Sequence, residues 1–161
     1  VQKQLEDKDN YFTNTVLMPY VQTYVNTYGV PFLTNTTHSH DLCLNRFWAR
    51  ISSEGDYQSI HDHQSVFTFV VWLKIPFDGN KERSIQPNFR PEAGDFCLVY
   101  TDTTGQILKK NWILTPELEG TIILFPSRIN HIVYPHFSTK EYRVAVAGDV
   151  SLSSYNPLNE I

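Results

Sequence analysis

Six histidines occur in this chain of 161 residues, and two of them, His61 and His63, stand two apart in the stretch "GDYQSIHDHQ". Successive side chains on a strand point to opposite faces, so residues i and i+2 share one. If residues 60 to 66 are extended, His61 and His63 project together and Asp62 projects the other way. Two imidazoles on one face could both bind one metal ion, or they could be two ordinary polar residues on a wet sheet. A third histidine, His131, opens a strand-like segment 68 residues after His63. Three neutral imidazoles on one side of a cation leave its other positions open. Structural zinc sites are usually closed by four ligands, whereas open positions imply chemistry at the metal.

Arg143 lies twelve residues after His131, in "KEYRVAVAG", alternating with Ala145 and Ala147 on one side of a strand. An arginine inside so apolar a strand needs an anionic partner. If its face lines an interior, that partner could be a ligand carboxylate held by two parallel hydrogen bonds. If its face lies at a sheet edge, Arg143 snorkels to solvent.

These residues need strands to carry them. Residues 12 to 28 repeat apolar positions at i, i+1, i+4 and i+5 (Val16, Leu17, Tyr20, Val21, Tyr24, Val25, Tyr28), the stripe of an amphipathic helix. Pro19 should kink that helix or mark its start, and Gly29 with Pro31 ends it. Beyond it the text predicts strands over 42–52, 66–77, 95–102, 111–115, 120–126, 131–135 and 142–152, separated by turn signals such as "DGN", "PEAGD" and "PSRIN". Many short strands at this spacing suggest a sandwich or barrel, and rolling them up can unite distant positions. Residues 78–94, with Lys81, Arg83 and Arg90, read as a long loop that either covers a site mouth or is a solvated connector.

The length suits one domain, residues 1–161, with a β core over about 42–152. A net charge of -4 argues against nucleic-acid binding through a basic surface. No apolar run approaches the roughly 20 residues of a membrane span. Cys43 and Cys97 read as buried free thiols, which fits a cytosolic setting. His136 reads as a surface residue, and His38 and His40 as a further HxH pair in a loop or strand start. The aromatic residues Phe67, Phe69, Trp72, Tyr100, Trp112 and Phe125 read as core.

Taken together, Trp48, Gly55-Asp56-Tyr57, His61-x-His63, the long apolar strand after it, Gly120, Phe125-Pro126-Ser127, His131 and Arg143 resemble a phage and bacterial family of 2-oxoglutarate–Fe(II) oxygenases. The resemblance covers roughly residues 42 to 152. It implies a mainly β fold, a double-stranded β-helix or jelly roll, preceded here by the helical segment. It implies a cytoplasmic, Fe(II)- and 2-oxoglutarate-dependent dioxygenase that hydroxylates an unidentified small-molecule or peptide substrate. His61, His63 and His131 would hold the iron, and Arg143 would clamp the far carboxylate of the co-substrate. A homodimer is compatible with this reading. Asp56 and Asp62 are candidates to orient a metal-bound histidine through its other nitrogen.

The chain is also similar to the wider cupin superfamily, whose two motifs fall on Gly55, His61 and His63, and on Gly120, Pro126 and His131. The glutamate of the first cupin motif is missing. Equally, no histidine here has Asp or Glu two residues on, where most 2-oxoglutarate oxygenases carry a carboxylate ligand. Two alternatives therefore stand beside the leading one. The first is a cupin-type three-histidine metalloenzyme that does not use 2-oxoglutarate. The second is a jelly-roll binding or virion-associated module without catalysis.

Overall fold

The computed structural model describes residues 1–30, 41–85 and 92–153. His38, His40 and Arg90 lie outside the described residues. The strands are β1 (Gln2–Gln4), β2 (Leu42–Ser52), β3 (Gln58–His61), β4 (Phe67–Lys74), β5 (Phe96–Thr101), β6 (Ile107–Trp112), β7 (Ile122–Pro126), β8 (Asn130–Val133) and β9 (Arg143–Leu152). They form a five-stranded sheet, β1-β2-β9-β4-β7, and a four-stranded sheet, β3-β8-β5-β6. Most consecutive strands sit in different sheets, β1–β2 and β5–β6 being the neighbouring exceptions, which is the mainly β jelly roll expected from the sequence.

Strand alternation sends the two faces of the larger sheet to different partners. Val70 and Trp72 of β4 point between the sheets, where they meet Phe96, Leu98 and Phe125. Phe67 and Phe69 of the same strand point outward. There they meet Leu17 and Val21 of the N-terminal helical segment, closing a second apolar cluster. Each such fully buried side chain contributes about 1.5–3 kcal/mol through removal of apolar surface from water.

The helical segment has the predicted stripe but an uneven course. A π turn over Thr13–Leu17 leads into α1 (Met18–Tyr28), with Pro19 in the first turn of α1. Proline there lacks an N–H and crowds the carbonyl four residues back, so a widened turn immediately before it relieves the conflict. No described helix is long and apolar enough to cross a membrane.

Four local expectations need correction. The stretch 78–94 is not a loop throughout, because Gly79–Ile85 forms α2. Buried Glu82 of α2 accepts the Phe137 and Ser138 backbone N–H groups (2.8 and 3.0 Å), so α2 braces a neighbouring turn. β6 begins at Ile107, earlier than the predicted strand 111–115. It is an edge strand that exposes Ile107, Lys109 and Lys110, while the apolar Leu114 beyond it is fully buried in the core. His136 is not on the surface. Its ring is fully buried, stacked on Phe77 at a centroid distance of 4.8 Å. Of the residues read as core aromatics, Tyr100 is exposed.

Candidate metal centre and its cavity

Antiparallel pairing of β3 with β8 sets His61 directly opposite His131. Their ring centroids are 4.1 Å apart. His63 arrives by another route. β3 ends at His61, and the chain then crosses from the four-stranded sheet to β4 of the five-stranded one. At the crossing the His63 N–H donates to the Ser127 carbonyl (2.9 Å), and the Ser127 N–H donates to the Val66 carbonyl (3.1 Å). The expectation of extended backbone over 60–66 thus fails beyond His61. The bonds to Ser127 carry the His63 ring into the cluster instead, 5.5 Å from His61 and 5.2 Å from His131 between centroids.

One ligand nitrogen from each ring lies within 4.8 Å of the other two, the spacing of three donors around one ion. The other nitrogens are engaged elsewhere on two of the rings. His61 Nδ1 sits 2.6 Å from the Ser59 carbonyl oxygen, and His63 Nδ1 sits 2.6 Å from Asp149 Oδ1. Each acceptor fixes the proton on Nδ1 and leaves Nε2 with a free lone pair. His131 is buried, and burial, followed by its two histidine neighbours, pushes its pKa down to about 3. It is therefore a neutral electron-pair donor across the physiological range. These donors fit a divalent ion of intermediate softness such as Fe(II).

The carboxylate that orients His63 is Asp149 of β9, not Asp56 or Asp62. Asp149 is fully buried. Its Oδ1 also accepts the Thr68 hydroxyl (2.9 Å), which in turn meets the Ser127 hydroxyl (2.9 Å). Arg46 lies 3.6 Å from Oδ2. Asp56 instead accepts the Ser53 N–H within its own turn (3.0 Å), and Asp62 pairs with Arg128 near the surface (3.3 Å). Asp149→Ala should weaken Fe(II) binding about 10- to 100-fold, with Asp149→Asn nearer to wild type because its amide oxygen still accepts the imidazole N–H. Anaerobic equilibrium dialysis measures this; equal affinities for all three proteins would show that Asp149 does not orient a ligand.

The three histidines open into a cavity of about 310 Å³ between the sheets, and Arg143 lines the same cavity. Arg143 is buried, so it is not a snorkelling edge residue. Its Nη1 donates to the Tyr134 carbonyl (3.1 Å), while Nη2 is buried with no partner among the described residues. Burial, then Arg50, lowers its pKa to about 10, and Asp56 opposes this; the group stays charged at neutral pH. Ala145 and Ala147 line the wall beside it, and Trp72, Phe96 and Phe125 provide apolar walls. A buried guanidinium N–H with no partner among the described residues, beside a cavity, suits a ligand carboxylate. None of residues 78–85 lines this cavity.

Residues 46–149 match the profile of a family described as "Putative 2OG-Fe(II) oxygenase". The chain belongs to this family. Among solved structures it is similar to an oxidoreductase of the 2OG-Fe(II) oxygenase family from Burkholderia pseudomallei, at 14% identity and a TM-score of 0.56. That match covers 88% of this chain but only 54% of the other, so the chain spans about half the length of that protein. It is also similar to a cupin domain from Bordetella pertussis, at 15% identity and a TM-score of 0.37, covering 73% of this chain and 90% of that one. No curated protein matches the chain. The family match spans His61, His63, His131 and Arg143, so this cavity is the candidate site.

Proposed function

We propose that the protein is a non-haem Fe(II) dioxygenase that uses 2-oxoglutarate to hydroxylate an organic substrate. One observation carries this reading: a single cavity joins three converging imidazoles to a buried guanidinium with an unpartnered N–H. His61, His63 and His131 would hold the iron. Arg143 would take the far carboxylate of 2-oxoglutarate through Nη2, with Ala145 and Ala147 leaving room along the strand. Bound there, Fe(II) would let dioxygen act as the oxidant, one oxygen atom going to 2-oxoglutarate as it is oxidised to succinate and carbon dioxide and the other into a C–H bond. The chain's own contribution is positioning and exclusion of water. Asp149 holds the His63 ring in place, and Trp72, Phe96 and Phe125 keep the cavity dry.

Anaerobic protein loaded with Fe(II) and titrated with 2-oxoglutarate should develop a weak charge-transfer band in the visible spectrum. A second reading is favoured by the donor set, which holds three neutral imidazoles and no carboxylate. Such a site keeps the full +2 charge of the ion, where a carboxylate ligand would reduce it to +1. The corresponding enzyme would be a three-histidine dioxygenase that does not use 2-oxoglutarate, with Arg143 holding a substrate acid. Iron binding with neither the band nor turnover of 2-oxoglutarate would select that reading.

A further inference from the structure

A second arginine enters the cavity from β2. Alternation along that strand directs Trp48, Arg50 and Ser52 to the lining. In the β2–β9 register Arg50 faces Ala145 and Ser52 faces Arg143. Arg50 and Arg143 are therefore diagonal neighbours on one face, a relation that places Cα atoms about 7–8 Å apart and long side chains within reach. Arg50 Nε is buried with no hydrogen-bond partner among the described residues, as is Arg143 Nη2. Burial and then the Arg50 charge lower the proton affinity of Arg143, against Asp56, which raises it.

Among the described residues no carboxylate hydrogen-bonds either guanidinium, although the Asp56 charge acts on Arg143. Asp56 is taken by Ser53, Asp62 by Arg128, and Asp149 by His63 and Thr68. The third cavity arginine, Arg46, is spoken for at the mouth, near Asp149 and over the Trp48 ring at 5.2 Å. Two like charges side by side, each with a buried N–H lacking a partner among the described residues, repel one another, and an anion between them would relieve both the repulsion and the unmet N–H groups.

We propose that Arg50 and Arg143 form one two-guanidinium receptor that takes a single acid group between them. Arg50 is then a specificity-determining residue: it restricts the cavity to ligands carrying an acid group remote from the histidine cluster. Identifying that ligand as 2-oxoglutarate rests on the reading above; the receptor itself does not need it.

The test compares wild type, Arg50→Gln and Arg50→Lys by anaerobic calorimetry of the Fe(II)-loaded proteins. The ligands are 2-oxoglutarate and 2-oxobutyrate, a 2-oxo acid without the remote carboxylate. Arg50→Gln should bind 2-oxoglutarate about 10- to 100-fold more weakly, the loss of one charge-assisted hydrogen-bonded contact, and 2-oxobutyrate as wild type does. Where wild type binds 2-oxoglutarate, equal losses for both ligands, or none for either, overturn the proposal. Without ligand, the Tm of Arg50→Gln should equal or exceed that of wild type, because a like-charge neighbour is gone. A fall of many degrees would mark Arg50 as structural and also overturn it.

Metal-free protein separates the receptor from the co-substrate reading. Glutarate, at matched ionic strength in sodium chloride, should raise the wild-type Tm, and the rise should vanish in both Arg50→Gln and Arg143→Gln. If wild type ignores 2-oxoglutarate yet shows this glutarate pattern, the co-substrate reading falls and the receptor stands. A glutarate effect that persists in Arg50→Gln, or wild type that binds neither acid, overturns the receptor.

Discussion

Arg143→Ala, loaded with Fe(II), is expected to lose 2-oxoglutarate affinity by roughly thirtyfold to several thousandfold. Arg143 is the more deeply buried of the two neighbouring arginines, at 3% exposure, and its Nη2 has no partner among the described residues. A charge-assisted pair in so desolvated a place is worth on the order of 2–5 kcal/mol, which sets the expected loss. Arg143→Lys should recover little, since an ammonium cannot reproduce the planar fork. Iron affinity should be unchanged, because Arg143 is not among the clustered ligands. Titration of both variants against the charge-transfer band, with iron content checked in parallel, measures this. Wild-type 2-oxoglutarate affinity in Arg143→Ala would remove the strongest structural argument for that co-substrate.

His63→Ala is the second large effect, and it falls on the metal. Structural zinc peptides gain about 10–16 kcal/mol from four ligands, so one ligand carries about 3 kcal/mol. Losing it costs roughly a hundredfold in affinity, enough to empty the site at micromolar iron. The fold should persist, because the two backbone bonds at Ser127 that hold the crossing do not use the His63 side chain. Asp149 loses one partner but keeps the Thr68 hydroxyl and the nearby Arg46, so destabilisation should stay near 1–3 kcal/mol. Metal analysis of untagged protein, with circular dichroism as the folding control, decides it. Stoichiometric iron in well-folded His63→Ala would mean that His63 is not a ligand.

The features legible in the sequence are those whose physics is local. The apolar stripe over 12–28 announced a helix because a 3.6-residue period needs only neighbours to be recognised. β2 runs over the predicted 42–52, a segment rich in aromatic and branched residues. β6 was misplaced because adjacent Lys109 and Lys110, which alternation sends to opposite faces of an edge strand, interrupt the apolar pattern, and the apolar residues beyond draw the eye. His61 and His63 were singled out by an i, i+2 argument that holds only for the first of them, since the strand stops at His61. Their convergence comes from the chain crossing between sheets, a non-local event.

What the tertiary structure alone decided is which face of each strand looks inward and which residues meet across strands. Period-2 alternation groups Trp48, Arg50 and Ser52, and separately Arg143, Ala145 and Ala147, but it does not say that both groups face one cavity. Asp149 is 86 residues from His63 in the chain and meets it only because β9 pairs with β4 so that Asp149 lies opposite Thr68. Asp56 and Asp62, near the histidines in sequence, were the natural candidates for that role, yet their local turn and surface contacts hold them elsewhere. Spacing along the chain and the family resemblance together singled out the three imidazoles and Arg143. The buried carboxylate and the second guanidinium depend on strand register, which hydrogen bonding between distant segments sets and no single segment contains.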